Sequence, residues 1–184
     1  MKIELRNTKV NLTFSEETTM FHADLYVDNK KVGYAENEGH GGSTNYNWIS
    51  TNTSSREENQ RIIEEAETYC KSLPPITTSF GNLGMNLENY IDEIIDTYVE
   101  KKEKEKFFKK IGKTMEKCLV YGNKKTSQCF SYGWKKFTIA QLLTVPQGRA
   151  AIVAGIKKIE SNLKKDETIW NENIPADIWA EARK

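Results

Sequence analysis

Residues 21–36 read F-H-A-D-L-Y-V-D-N-K-K-V-G-Y-A-E, and this stretch decides the fold of the N-terminal third. Apolar and polar residues alternate as far as Val27, which is the period of a strand with one buried face. Asp28 and Asn29 tolerate a positive φ, so they suit a tight two-residue turn between this strand and a returning one. The register that such a turn sets gives the facing pairs Leu25–Val32 and Ala23–Tyr34.

The segments on either side extend this hairpin into a sheet. Residues 3–14 also alternate, with an irregularity near Asn7, and residues 45–49 suit a fourth strand. We therefore predict an antiparallel meander. Residues 36–44, E-N-E-G-H-G-G-S-T, form its connection to the fourth strand.

Helix signals follow the meander. Ser55 and Glu58 have the spacing of a capping box, and apolar residues recur behind them at helical intervals. Residues 76–85 contain two glycines and predict a loop. Asn86 suits the cap of a long helix through residues 87–117, which would be about 45 Å long if unbroken. Such a length favours contact with a second subunit, so a homo-oligomer is expected.

The C-terminal part alternates short strands and helices. Residues 119–121 and 129–132 predict a hairpin around the polar turn G-N-K-K-T-S. Thr138 and Gln141 again have capping-box spacing and predict a short helix. Pro146 suits the first turn of a further helix.

The predicted fold class is α+β. An N-terminal antiparallel β-meander with a packed helix is followed by a long helix, a short β-hairpin and C-terminal helices. We expect residues 1–75 to form the sheet and its helix and residues 86–184 to form the rest, either as two domains or as one integrated domain. A chain of 184 residues is long enough for either arrangement.

Apolar runs in the sequence are short. No run could span a bilayer, and the N-terminus M-K-I-E-L-R-N lacks the apolar segment of a signal peptide. The expected location is therefore the cytoplasm, with no membrane partner.

The net charge of +1 conceals a division along the chain. Residues 1–100 carry 8 Lys and Arg against 17 Asp and Glu, whereas residues 101–184 carry 19 against 9. This asymmetry predicts a basic surface for phosphates or for an acidic partner. The alternative is that the two halves attract each other, within the fold or between subunits.

The basic half contains the stronger candidate site, Y-G-N-K-K-T-S-Q-C-F-S-Y-G-W-K-K-F at residues 121–137. Lysines for phosphates alternate with aromatic rings for bases, which is the combination that a nucleotide or single-stranded nucleic acid requires. The alternative is a hairpin whose aromatic residues are core and whose lysines protect an edge strand. The candidate ligand-binding residues are Tyr121, Lys124, Lys125, Tyr132, Trp134, Lys135 and Lys136. The upstream residues that would extend the surface are Lys106, Lys109, Lys110 and Lys113.

The glycine loop at residues 36–44 is a second candidate ligand site. Successive N–H groups in a glycine-rich turn can form an anion nest, and hydroxyl and imidazole groups add donors. Glu36 and Glu38 would repel a phosphate, however, and a glycine corner between strands is the alternative. The candidate residues are His40, Gly41, Gly42, Ser43 and Thr44.

Catalysis has weak support in the sequence. His22 lies near Asp24 on the polar side of its strand and could act as a general base, and His40 is the other histidine. No nucleophile or third orienting group is evident, so no catalytic residue is predicted. The three cysteines lack a C-x-x-C pair and suit buried apolar positions, so no metal site and no cofactor are predicted.

Two segments resemble parts of small accessory proteins carried by bacteriophages and mobile elements, notably of Bacteroidota. Residues 21–44 resemble their N-terminal hairpin and G-x-G-G corner, with Asn29 where glycine is frequent. Residues 138–150, T-I-A-Q-L-L-T-V-P-Q-G-R-A, resemble a second segment. The resemblance carries over no catalytic residue. It implies a phage protein, located in the host cell cytoplasm, that counters host defence by binding a defence component or sequestering a nucleotide signal.

The function expected first is therefore a non-enzymatic binding protein of phage type, with a host defence protein or a nucleotide as its partner. The alternative is a nucleic-acid-binding accessory protein that uses the basic C-terminal half. A small enzyme using His22 and Asp24, or His40, is the third hypothesis.

Overall fold

The computed structural model describes residues 1–52, 54–78 and 81–184. The predicted α+β class is confirmed. Internal contacts divide the chain into unit 1, Met1–Lys101, and unit 2, Lys102–Lys184. The division falls inside the long helix, whereas the sequence placed it in the loop that follows residue 75.

Unit 1 contains a four-stranded antiparallel sheet whose strands lie in chain order. This confirms the predicted meander. The strands are β1 Ile3–Val10, β2 Phe21–Val27, β3 Lys30–Asn37 and β4 Asn45–Trp48.

The β2–β3 turn has the expected geometry, with φ of 46° at Asp28 and 66° at Asn29. The predicted side-chain register is wrong. Leu25 pairs with Gly33 rather than with the residue before it, because a bulge shifts the ladder between Leu25 and Tyr26. The second pair is accordingly Ala23–Ala35.

The first strand has the expected irregularity but is shorter than predicted. Its pairing with β2 shifts between Arg6 and Lys9, and Asn7 has a φ of 53°. Leu12 and Phe14 were expected to continue its buried face, but both are exposed. The strand ends at Val10 because the chain then enters a loop closed by the Asn11 N–H, which donates to the Met20 carbonyl.

Helix α1, Arg56–Lys71, covers the sheet and begins at the predicted cap, since the Ser55 side chain accepts from the Glu58 N–H. Residues 79 and 80 of the expected loop after it lie outside the described residues, and the rest instead contains a two-stranded antiparallel sheet, β5 Ile76–Thr78 and β6 Gly81–Leu83. Each strand has three residues, which is too short for an alternating pattern to be recognised in the sequence.

Helix α2 is continuous over Leu87–Met115. Asn86 caps it by accepting from the Asn89 N–H at 2.7 Å, as predicted. Its first turns complete the core of unit 1, which combines one face of the sheet with α1 and α2. The fully buried side chains of this core include Leu25, Val32, Ile63, Leu87 and Ile91. Among the described residues, no helix is long and apolar enough to cross a membrane.

Unit 2 contains a three-stranded antiparallel sheet in the order β8-β7-β9, followed and covered by helices. The hairpin, the capping box at Thr138 and the helix start at Pro146 are confirmed. The two-residue strand β9 was not predicted. The elements are β7 Cys118–Asn123, β8 Gln128–Gly133, α3 Ile139–Leu143, α4 Pro146–Glu160, β9 Thr168–Ile169 and α5 Ala176–Ala182.

The hairpin of unit 2 has a separate apolar cluster on each face. Leu119 packs with the helices that follow the hairpin, and Val120 packs with Ile111 and Trp170. Asn171 is buried and accepts from the Val120 N–H while it donates to the Cys118 carbonyl. The Asn171 amide also donates to the Met115 carbonyl at the end of α2, so the helix end and the hairpin are held in one arrangement.

Candidate functional site

The four predicted lysines of the hairpin do not lie together. Lys124 and Lys125 belong to the turn beyond the pair Asn123–Gln128, at one end of the hairpin. Lys135 and Lys136 follow Gly133, at the other end. A six-residue strand is roughly 17 Å long, so these two lysine pairs form separate charged regions.

The predicted aromatic residues mainly serve the core. Tyr121, Tyr132 and Trp134 are half-buried and pack against the apolar cluster of α3, α4 and α5. The rings of Tyr132 and Trp134 meet edge to face, with 5.8 Å between their centroids. The aromatic residues of this region that remain exposed are Phe130, at 57%, and Phe137, at 53%.

A lysine-lined hollow of about 500 Å³ lies at the C-terminal end of α2. Lys110, Lys113 and Lys117 contribute its positive charge, and Glu116 is the acid beside them. The sequence suggested Lys110 and Lys113 as an extension of the basic hairpin, but it gave no reason to select Lys117.

The segment that carries Lys135 and Lys136 is anchored beside this hollow at both ends. At its start Gly133 pairs with Cys118, and at its end the Ile139 N–H donates to the Glu116 carbonyl at 2.9 Å. The chain bends between these anchors, where the Phe137 N–H donates to the Trp134 carbonyl. The two lysines therefore belong to the same end of unit 2 as the three that line the hollow.

We call this set of five residues the lysine surface: Lys110, Lys113, Lys117, Lys135 and Lys136. All five are exposed. Within the described part of the chain none of them forms an ion pair, unlike Lys30 and Lys31 of unit 1, which each pair with a carboxylate. The lysine surface, with Glu116 beside it, therefore presents a net positive charge to a ligand.

In the glycine loop, residues 36–44, the buried side chain of Asn37 makes the hydrogen bonds that fix the backbone. Its oxygen accepts from the Gly39 N–H and the Thr18 hydroxyl, each at 2.8 Å. Its amide group donates to the Gly42 carbonyl and to the Thr44 hydroxyl oxygen. The loop is thus held closed by the chain itself.

Acidic side chains surround the glycine loop. Thr44 donates from its N–H to Glu88 and from its hydroxyl to Asp92, the latter at 2.5 Å. Burial raises the pKa of the Asp92 carboxyl above its usual range. The Gly41 N–H donates to the Thr18 hydroxyl oxygen, so N–H groups that an anion nest would need already have partners. This geometry favours a sheet corner over a phosphate cradle.

The two histidines lie on exposed surfaces of unit 1. His22 has its Nδ1 atom 3.5 Å from a Glu36 oxygen. Asp24 instead bonds to Asn7 and Lys31, and the hydrogen bond from Lys31 holds the pKa of its carboxyl below the usual range. The predicted His22–Asp24 pair is therefore not the arrangement that forms.

His40 is similarly engaged with an acid, since its Nδ1 atom lies 3.1 Å from a Glu16 oxygen. Across residues 1–52, 54–78 and 81–184, no cluster of His, Cys, Asp and Glu is suited to hold a metal ion.

The glycine loop belongs to unit 1 and the lysine surface to unit 2. The lysine surface has a net positive charge, whereas the glycine loop has internal partners and acidic neighbours. A comparison of the chain with protein-family models, curated proteins and solved structures finds no match.

Proposed function

We propose that this chain is a non-enzymatic binding protein whose lysine surface binds single-stranded nucleic acid. The observation that carries the proposal is the grouping at one end of unit 2 of five exposed lysines that form no ion pair with the residues the structure describes. Contacts between lysines and phosphates release the counterions that surround a nucleic acid, and this release supplies most of the affinity.

The form of the surface favours an extended ligand. The lysines lie on α2 and on the bend after β8, so they follow a surface longer than one phosphate group. Phe137 adjoins Lys136 and is exposed, which gives a base a ring to stack on. Tyr121, Tyr132 and Trp134 are engaged in the core and have no part in this proposal.

The proposal is tested by the fluorescence anisotropy of a labelled 20-nucleotide oligo(dT) across a salt series. Five phosphate contacts predict a slope of log K against log [salt] of about −3.5. The double variant Lys113→Gln/Lys135→Gln should reduce the steepness of that slope by about 1.4. The matched control is Lys164→Gln/Lys165→Gln, which makes the same change of net charge at exposed lysines of the same unit.

The control variant should keep the slope of the unchanged protein. Equal losses in both double variants would show that net charge alone attracts the nucleic acid, and the lysine surface would then not be the site. No binding at 50 mM salt would remove nucleic acid as the ligand.

A nucleotide is the second candidate ligand, because the hollow between Lys110, Lys113 and Lys117 has a volume of about 500 Å³. Pockets for small ligands have volumes in this range. In the phage-type setting that the resemblance implies, the ligand would be a host signal and its sequestration would counter host defence. A panel of cyclic and linear nucleotides tests this directly, since a ligand that binds only the folded chain raises its melting temperature. Unchanged melting temperatures across the panel would remove this candidate.

A further inference from the structure

An apolar groove of about 530 Å³ lies where α3 meets α4. Its floor contains Leu142, Gly148 and Ala151. Gly148 lies directly against the backbone of Leu142, where a side chain on residue 148 would clash, so the two helices meet closely beneath the groove. Trp134 and Phe137 line the same groove.

The groove leaves large apolar side chains in contact with water. Phe137 is 53% exposed and Val145 is 45% exposed, although both line the same groove as the buried residues Leu142 and Gly148. Exposed apolar residues that line a shared groove, rather than being scattered singly, are typical of an interaction site.

Val145 is also a weak residue for the N-cap position that it occupies. It is the N-cap of α4, with φ −127° and ψ 142°, and it makes no side-chain hydrogen bond to the helix. Valine is among the weakest N-cap residues, whereas serine, asparagine and aspartate satisfy a free N–H group of the first turn. Stability alone would favour one of these, whereas valine adds exposed apolar surface to the groove.

The rim of the groove is polar and its mouth is basic. Gln141, Thr144 and Gln147 form the rim, and Gln147 makes no side-chain hydrogen bond to the described residues. Lys135 and Lys136 occupy the bend between the two aromatic residues of the groove. An apolar floor, amide groups at the rim and adjacent positive charge are the complement of a peptide with apolar and acidic side chains.

We propose that this groove binds an acidic, apolar peptide segment of a partner protein. The apolar side chains of the segment occupy the floor beside Val145, and its carboxylates face Lys135 and Lys136. A membrane surface fits less well, because membrane-binding residues project outward, whereas these residues line a concavity. The inference does not depend on nucleic-acid binding.

A random library of displayed 12-residue peptides, selected on the full chain, tests the groove. The enriched peptides should combine Leu, Ile, Phe or Trp with Asp or Glu. The best of them, synthesised with a fluorescent label, should bind Val145→Ser about tenfold more weakly than the unchanged chain. The same substitution supplies a better cap, so the melting temperature should stay the same or rise by about 2–4 °C.

Two further variants locate the binding. Lys135→Gln/Lys136→Gln should weaken the same peptide and reduce the salt dependence of its affinity. Phe130→Ser removes an exposed aromatic residue that does not line the groove, so it should leave peptide affinity unchanged. Val145→Ser should leave the affinity for oligo(dT) unchanged, because Val145 is not part of the lysine surface, although the groove and that surface share Lys135 and Lys136.

Other outcomes would overturn the proposal. Enrichment of basic or purely polar peptides would do so, as would equal peptide affinities of Val145→Ser and the unchanged chain. Sedimentation with phosphatidylserine vesicles that Val145→Ser abolishes, without any selected peptide, would assign the groove to a membrane. Concentration-dependent self-association that Val145→Ser abolishes would assign it to a second copy of this chain.

Discussion

At the scale of single residues, Asn37 determines the shape of the glycine loop. Asn37→Ala would remove the bonds to Thr18, Gly39, Gly42 and Thr44 and would leave the buried Gly39 N–H without its partner. We expect the free energy of unfolding, measured in urea, to fall by about 3 kcal/mol, since an unsatisfied buried group adds to the lost bonds.

The matched control for this substitution is Ser43→Ala in the same loop, where the side chain is exposed. It should change the free energy of unfolding by less than about 0.5 kcal/mol. Similar losses in the two variants would mean that the loop depends on its glycines rather than on the Asn37 network.

Asp92 predicts an unusual dependence of stability on pH. Burial raises the pKa of its carboxyl in the folded chain above the ordinary value of 3.8, so the folded state binds the proton more tightly than the unfolded state. The stability from this group is therefore present below the ordinary pKa and is lost as the pH rises through the raised pKa. Asp92→Asn keeps an oxygen for the Thr44 hydroxyl without the charge.

We expect Asp92→Asn to be more stable than the unchanged chain at pH 7 and to lose that advantage towards pH 3. Urea unfolding at both pH values measures the difference. Glu93→Gln, on an exposed residue of the same helix, provides the comparison for removing a charge. An advantage that is the same at both pH values would contradict the assigned role of Asp92.

Single residues also explain why the predicted register failed. The turn at Asp28 and Asn29 was recognisable because both residues tolerate a positive φ. The bulge beyond it lies next to Gly33, a residue that also leaves room for the backbone of Asn47 in the neighbouring strand. An isolated glycine in a strand is a signal for a bulge or a close approach, but it does not say which side of the ladder gains the extra residue.

At the scale of elements, α3 depends on its cap. Five residues are too few for a stable helix by propensity alone, and Thr138 and Gln141 bond reciprocally at its start. Thr138→Ala should lower the free energy of unfolding by about 1 kcal/mol. Thr97→Ala, on an exposed residue inside α2, should instead stabilise slightly, because alanine is the better helix former.

These two Thr→Ala variants have opposite expected signs, and urea unfolding measures both. A loss in both variants of the same size would show that the reciprocal bonds of the capping box contribute nothing of their own.

Elements with a strong local signal were predictable from the sequence, and those without one were not. The strands of the meander alternate, and α1, α2 and α3 carry recognisable caps. β9 and the β5–β6 hairpin have two or three residues in each strand, and they form because neighbouring backbone groups need partners.

The candidate site was predictable only in part for a similar reason. Clustered charge at residues 106–149 is a property of composition and was visible in the sequence. The grouping of Lys117 with Lys135, and the groove between α3 and α4, depend on contacts between distant segments such as the Ile139–Glu116 hydrogen bond. No periodicity in the sequence reports such contacts.

At the scale of the whole molecule, each unit has apolar clusters of its own. The cluster of unit 1 draws on residues 3–99, and the two clusters of unit 2 draw on residues 107–182. Both units are longer than the roughly 40 residues below which a domain usually needs disulfides or metals. We therefore expect fragments 1–101 and 102–184 to fold separately and to melt cooperatively by circular dichroism. A fragment without a cooperative transition would show that its clusters are insufficient alone.

The opposite net charges of the two units also predict which unit carries the nucleic-acid affinity. Residues 1–101 carry 9 Lys and Arg against 17 Asp and Glu, a net charge of −8, and residues 102–184 carry 18 against 9, a net charge of +9. The acidic unit repels a polyanion while the basic unit attracts it. Fragment 102–184 should therefore bind oligo(dT) more tightly than the full chain, with the larger gain at low salt, where charges act over longer distances. Fragment 1–101 provides the control and should not bind. If fragment 102–184 binds more weakly than the full chain at every salt concentration, unit 1 contributes contacts of its own, and the lysine surface is then not the whole of the site.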